Sequence, residues 1–409
     1  MTLSRSYCLA VALFLALAGG AAAQDPTVST PEGRGTDAAA AEAEALAIQD
    51  FWTPERMAAA EPRPIPTMVT TESASLTAAP VILGEPILIS GHSAGGGPFT
   101  PKVRTFRRSE GQATATPQSW GTAPTNPLSG PYGPFQRWTM EGNYLPFARA
   151  IHGKLFFVLG GNLFQCSASV IGRSTVATAG HCVSDGGGTF ATSLLFCPSY
   201  YNGAGGVHPA RGCWAGVAVT TSGAWHFTGD PDYDYACFVT ATTGTIVADK
   251  IGNVTGWSGR AANWPSEQPE ITFGYPAGAP FPGNVIQQTA STEWYNWEAT
   301  AGGQVSKVIG SDLTGGASGG GWFLGWRAPG AEVADTDGSI VTDPAGFGGP
   351  YINGVNSHKR CVVNCSSPPT AGAGVFWQEM TSPPFLSTAA VDGDSEEVFA
   401  VCLAHVNNS

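Results

Sequence analysis

From Ile151 onward the chain breaks into short runs of β-forming residues separated by glycine and proline, and this texture limits the fold more than any other feature. Lys154 to Leu159 and Leu163 to Ile171 are joined by Gly160-Gly161-Asn162, a hairpin signal. Further runs follow at Thr175 to Ala177, Gly216 to Thr220, Ala236 to Thr240, Glu270 to Phe273, Gly321 to Leu324 and Ile352 to Val355. Short strands at such intervals predict barrels rather than a βαβ sheet. With 54 Gly, 31 Pro and only 12% charged residues, the composition also favours a turn-rich β protein over a helical bundle. No internal repeat of fixed period is present.

The N-terminus carries Arg5, an apolar run from Cys8 to Ala18, and Gly19-Gly20-Ala21-Ala22-Ala23 before Gln24, which together make the pattern of a secretory signal. Residues 1–23 are therefore read as a signal peptide, and the mature protein as secreted, to the extracellular space or the periplasm. The apolar run is too short to span a bilayer, so no membrane association is expected once the signal is removed. Residues 24–140 are rich in Ala, Pro, Ser, Thr and Gly, lack cysteine and hold few large apolar residues. They read as a partly ordered prosegment and linker of a zymogen, ahead of a catalytic domain over 141–409. Within them Asp37 to Phe51 predicts a helix. Residues 110–134, where Pro117, Pro124, Pro127, Pro131 and Pro134 alternate with Gly and Ser, predict a linker. A net charge of -12 without a basic stripe excludes nucleic acid as a partner.

Export places the cysteines in an oxidising compartment, and without Cys8 an even set remains: Cys166, Cys182, Cys197, Cys213, Cys237, Cys361, Cys365 and Cys402. Eight cysteines allow about 105 pairings, which sequence does not resolve. Proximity suggests Cys197 with Cys213 and Cys361 with Cys365. A zinc site would need paired CxxC spacing beside the histidines, and none is present, so no metal is expected. Nothing in the pattern calls for a cofactor.

Three separated motifs carry chemistry: Thr178-Ala179-Gly180-His181-Cys182, Asp232-Tyr233-Asp234-Tyr235-Ala236 and Gly316-Ala317-Ser318-Gly319-Gly320. A serine hydroxyl is a poor nucleophile near neutral pH and needs an imidazole to take its proton. The imidazole in turn needs a carboxylate that fixes its tautomer and steadies its positive charge. A histidine, an aspartate and a glycine-flanked serine in that order resemble the chymotrypsin/trypsin superfamily of serine peptidases, over roughly residues 140 to 405. The resemblance implies an all-β fold of two six-stranded antiparallel Greek-key β-barrels with the active site between them. It implies His181 as base and then acid, Asp234 as its carboxylate and Ser318 as nucleophile. Asp234 fits better than Asp232 because Asp-aromatic-Ala, followed by Cys237-Phe238-Val239, matches the family's aspartate at the start of a buried strand; Asp232 is read as a solvated loop residue. The backbone N–H groups of Gly316 and Ser318 would form the oxyanion hole, with glycine at 316 free to turn its N–H inward. The family's bridge beside the histidine corresponds to Cys166–Cys182, which leaves Cys237 with Cys402 by elimination.

Two departures qualify the resemblance. Ala317 stands where the animal enzymes carry the aspartate that pairs with a newly cut N-terminal ammonium, so that activation switch is absent and a prosegment must act otherwise, by occlusion or assisted folding. Thr314 and Ala317, with Gly274-Tyr275-Pro276 and Gly354-Val355-Asn356-Ser357-His358, look more like the bacterial trypsin-like and glutamyl-endopeptidase branch. Specificity stays open: Asp312, six residues before Ser318, would pair with substrate Lys or Arg, whereas His358 would bind an acidic side chain. Ser357 to Lys359 would supply a backbone edge to substrate in either case. The expected partners are protein and peptide substrates, and the expected state is a monomer.

Competing readings are few. Gly91-His92-Ser93-Ala94-Gly95 matches the nucleophile elbow of α/β-hydrolase esterases, with Ser93 as nucleophile, but Gly95-Gly96-Gly97-Pro98 breaks the helix an elbow requires. A catalytically silent binding or adhesion module on the same fold is the alternative from another class. Asp335-Thr336-Asp337-Gly338 resembles the start of a calcium loop but lacks the closing glutamate and reads as a surface loop. The tryptophans, Trp214, Trp225, Trp257 and Trp322 among them, read as core residues.

Overall fold

The structure, a computed structural model, describes residues 27–29, 38–69, 85–92, 119–120, 135–139, 150–201, 211–264, 268–298, 305–325, 350–361, 379–387 and 393–409. The signal segment, Ser93, Asp335 to Gly338 and Cys365 lie outside them. Six strands form a first ring: β1 (His152–Leu159), β2 (Asn162–Val170), β3 (Thr175–Thr178), β4 (Thr192–Pro198), β5 (Trp214–Ser222) and β6 (Ala236–Thr240). Antiparallel pairing runs β1–β2–β3–β6–β5–β4 and returns to β1, a closed barrel. The β1–β2 turn is a two-residue loop between the paired Leu159 and Asn162, with Gly160 at φ 57° and Gly161 at φ 82°. Left-handed backbone at both central positions matches the twist of a hairpin, and glycine adopts it without penalty.

The second half contains β7 (Pro269–Gly274), β8 (Gln287–Glu298), β9 (Val305–Gly310), β10 (Gly321–Leu324), β11 (Tyr351–Val355) and β12 (Glu379–Ser382). Pairing runs β10–β7–β8–β9–β12 on one side and β10–β11 on the other. The ring completes where the chain beyond β11 meets β12 through a single bridge, His358 to Thr381, with Thr381 N donating to His358 O at 2.9 Å. Each half therefore follows the same circuit, first-second-third-sixth-fifth-fourth, although no sequence repeat announces it. This is the all-β, two-barrel chymotrypsin-like architecture.

The described segments before residue 140 are built into both halves. Helices α1 (Ala38–Phe51) and α2 (Pro54–Ala59) cover the first barrel. Ala45, Ile48 and Trp52 recur at helical spacing and are buried in its core, and Trp52 Nε1 donates to Ser193 O at 2.6 Å. Trp52 meets Phe156 of β1 at 5.5 Å between ring centroids, and every residue of that strand except Val158 is buried. Ser119–Trp120 pairs with Phe135–Thr139, which in turn pairs with β8. Part of the stretch expected to be a linker is thus an edge strand, because its tryptophan and neighbours find a ladder to join. Ile87–Ile89 pairs antiparallel with Gly259–Ala262.

Three disulfides close among the described residues, Cys166–Cys182, Cys197–Cys213 and Cys237–Cys402, and all are anchored in the first barrel. The partner suggested for Cys361 falls outside the described residues. One apolar cluster that includes Trp214 spans both barrels, a separate one in the second barrel is built around Trp322, and both tryptophans are wholly buried. His152 of β1 stacks on Phe273 of β7 at 4.0 Å and meets Phe323 of β10 edge-on at 4.9 Å, which joins the halves. Burial pushes its pKa down to about 3, so the imidazole is neutral in the fold. The second barrel buries an ion pair: Lys307 Nζ lies 3.0 Å from Glu270 Oε1 and donates to Asn353 O at 2.9 Å.

Candidate active site

Strand register places the histidine beside the aspartate. Thr178 of β3 pairs with Ala236 of β6, so the residues just after Thr178 and just before Ala236 emerge at one end of the first barrel. His181 sits in the single turn Gly180–Cys182 that follows, and Asp234 closes the turn Pro231–Tyr233. A Cβ on Gly180 would lie 2.6 Å from Trp225 Cδ1 and 3.0 Å from Asp234 Oδ1, so only glycine lets the turn come this close. Cys182 is tied to Cys166 of β2, which pins the turn to the barrel.

His181 Nδ1 donates to Asp234 Oδ2 at 2.8 Å, and the His181 backbone N–H donates to Oδ1 at 2.7 Å. Ser357 Oγ donates to Oδ2 at 2.6 Å, giving the carboxylate three donors and no exposure. With Nδ1 engaged by this carboxylate, Nε2 is left as the acceptor face of the His181 ring. Asp232, expected in solvent, is buried as well; its Oδ1 accepts from Ser306 Oγ at 3.1 Å. The correction has a physical reason, since this turn sits where the barrels meet and Ser306 of β9 supplies a partner.

Ser318 comes from the second barrel, on the turn between β9 and β10. Gly319 has φ 76°, and a Cβ there would lie 2.0 Å from Thr178 Oγ1 and 2.9 Å from Ala179 N. Bare backbone thus seats the serine loop against the strand that leads to His181. Ser167 of β2 fastens it: its N–H donates to Ser318 O at 2.7 Å, and its Oγ donates to Gly316 O at 2.8 Å. Ser318 Oγ and His181 Nε2 are both buried and both without a hydrogen-bond partner. The structure brings their segments together but does not join the two atoms. Buried polar atoms left open are costly unless a ligand or a reaction uses them, and catalytic hydrogen bonds commonly tighten only with substrate in place.

Gly316, at φ 91°, turns its N–H toward the carbonyl of Arg63, 3.1 Å away. A Cβ at 316 would lie 2.7 Å from Tyr275 O, so glycine is required here by space as well as by conformation. Of the specificity candidates, Asp312 is bound to Arg137 Nε at 3.0 Å, and the charge expected to meet a substrate cation is already matched within the chain. His358 is wholly buried, with Nδ1 donating to Ser357 Oγ at 2.8 Å, so it belongs to the hydrogen-bonded cluster around Asp234. Burial holds its pKa down to about 4. The backbone of Ser357 is taken by Thr381 O, and the Lys359 N–H donates to Pro66 O at 2.9 Å.

Cys166, Cys182 and His181 cluster closely enough to suggest a metal site, but both sulfurs are consumed in the bridge and offer no thiolate. Of the esterase motif, Gly91 and His92 lie among the described residues. His92 forms a bridge with Trp257, and the strand before it pairs antiparallel with Gly259–Ala262 rather than entering a parallel sheet. Two contributors escaped the sequence motifs, Ser167 and Arg63. Ser167 is signalled only by its place beside a bridged cysteine, and Arg63 by nothing local.

Neither a protein-family model nor a curated protein sequence matches the chain. Solved structures do. The protease Anisep from Arthrobacter nicotinovorans is 27% identical, aligned over 63% of this chain and 98% of that one, with a TM-score of 0.47. The thermostable serine protease AL20 from an extremophilic microorganism is 30% identical over 61% and 96%, with a TM-score of 0.46. A Glu endopeptidase in complex with MPD is 17% identical over 67% and 98%, with a TM-score of 0.41.

Proposed function

We propose that the chain is a secreted serine endopeptidase in which Ser318 attacks a peptide carbonyl, His181 relays the proton and Asp234 orients His181. The supporting observation is a buried His181–Asp234 pair, 2.8 Å apart, beside a buried and unpartnered Ser318 hydroxyl. During attack the hydroxyl proton passes to His181 Nε2, and the new imidazolium is steadied by Asp234 through Nδ1. The negative charge that the carbonyl oxygen gains would be received by the Gly316 and Ser318 N–H groups. His181 then gives its proton to the leaving amine, an acyl-Ser318 ester remains, and water activated by the same histidine hydrolyses it.

Substrate choice follows from the charges already spent. A Lys or Arg side chain reaching Asp312 would have to displace Arg137, so basic specificity is disfavoured in this state of the chain. A serine-directed fluorophosphonate should label the protein, and Ser318→Ala should abolish both labelling and casein cleavage. No hydrolysis of any peptide library by folded protein would instead support a binding module.

A further inference from the structure

Beyond α2 the chain reads Glu61-Pro62-Arg63-Pro64-Ile65-Pro66-Thr67-Met68-Val69, with proline at every second position from 62 to 66. A residue before proline is held extended, and proline itself has no N–H to donate. The segment is therefore a stiff ribbon whose carbonyls must find donors elsewhere. It finds them across the cleft: Gly316 N–H donates to Arg63 O at 3.1 Å, and Lys359 N–H to Pro66 O at 2.9 Å. Between these anchors Ile65 packs on Ile309, Leu313, Ala317, Trp322 and Met380, beside the Ser318 loop. Arg63 Nε donates to His181 O at 3.2 Å, and its guanidinium lies over the Phe164 ring at 5.1 Å.

We propose that residues 61–69 are a built-in inhibitor that fills the substrate cleft with its chain direction reversed. The proposal rests on the serine-peptidase reading above. In a cleavable complex the carbonyl held by Gly316 is followed by the leaving nitrogen, which must lie toward His181 to be protonated. Here the residues that precede that carbonyl, Glu61 and Pro62, pair with β2 on the histidine's side. Those that follow it enter the Ile65 pocket and then run parallel to Lys359–Cys361 in the serine's half. The leaving nitrogen, that of Pro64, is thereby carried away from the histidine. The strap can occupy the oxyanion donor and the pocket without presenting a bond that the site can cut. Docking of α1 and α2 on the first barrel makes the contact intramolecular, with an effective concentration on the order of millimolar.

The test compares fluorophosphonate labelling at Ser318 in the intact chain and in Ile65→Asp and Ile65→Ser, with melting curves to verify folding. Release of this partly buried aliphatic anchor should speed labelling roughly 10- to 100-fold for Ile65→Asp, with Ile65→Ser between it and the unchanged chain. A synthetic peptide of residues 60–70 should slow labelling of either variant and be recovered uncut, whereas a scrambled peptide should not. Equal labelling of all three folded proteins overturns the strap and leaves the peptidase standing. Absence of labelling at Ser318 in every form overturns the peptidase reading and the strap with it.

Discussion

The two barrels trace the same circuit of strands but are held together by different means. The first is paired around its whole circumference, carries three disulfides and presents His181 and Asp234 as a finished pair. The second closes through one bridge at His358 and Thr381, buries the Lys307–Glu270 ion pair, and presents Ser318 on a turn that two glycines allow. Among the described residues, covalent constraint sits in the half that holds His181. Ser318, Gly316 and the apolar cluster that receives Ile65 sit in the half whose closure depends on polar contacts, and it is also this half that holds residues 63–66 through Gly316 and Lys359.

The largest expected effect lies in the rigid half. Asp234→Asn should lower kcat/KM for a peptide substrate roughly ten-thousandfold, because an amide donor facing Nδ1 leaves Nε2 protonated and unable to accept from Ser318. Stability by urea unfolding should change far less than activity; a comparable collapse of both would mean that Asp234 is a structural residue. The next effect belongs to the second barrel. Lys307→Met should destabilise the protein by about 3 to 5 kcal/mol by stranding the buried Glu270 carboxylate, and joint replacement with Glu270→Leu should restore most of it. A full cost in the double variant would show that Asn353 and Trp322, rather than the ion pair, define the site.

The smallest effect concerns the seam between the halves. His152 has a folded pKa of about 3 against an ordinary value near 6.5, so the unfolded chain binds the proton more tightly. The stability it confers is complete above about pH 6.5 and is lost as pH falls toward 3, on the order of 1 to 3 kcal/mol by pH 4. His152→Phe should flatten the acid limb of a melting-temperature profile. An unchanged limb would assign acid sensitivity to other groups, the buried His358 first among them.

The same contrast explains what could be seen in advance. Strands of the first barrel such as β1, β2 and β6 are runs of Phe, Val, Leu and Ala and stand out from the sequence. Of the strands without such a signal, β8, β9 and β12 belong to the second barrel. Gln287, Gln288, Thr289, Ser306, Lys307, Glu379, Thr381 and Ser382 are buried there, and a search for apolar runs passes over buried polar residues. Asp232 was misjudged for the same reason, since its partner Ser306 is remote in sequence.

By itself the sequence determined the residue types and their order: a histidine beside a cysteine, an aspartate entering a strand and a serine among glycines, because each obeys a local chemical requirement. Only the tertiary structure decided what met what. Strand register brought His181 to Asp234, bare glycine backbone brought the Ser318 loop to Thr178, and a proline ribbon was laid against Gly316 and Lys359. Those outcomes depend on contacts between segments 53 or more residues apart, whose geometry no local pattern encodes.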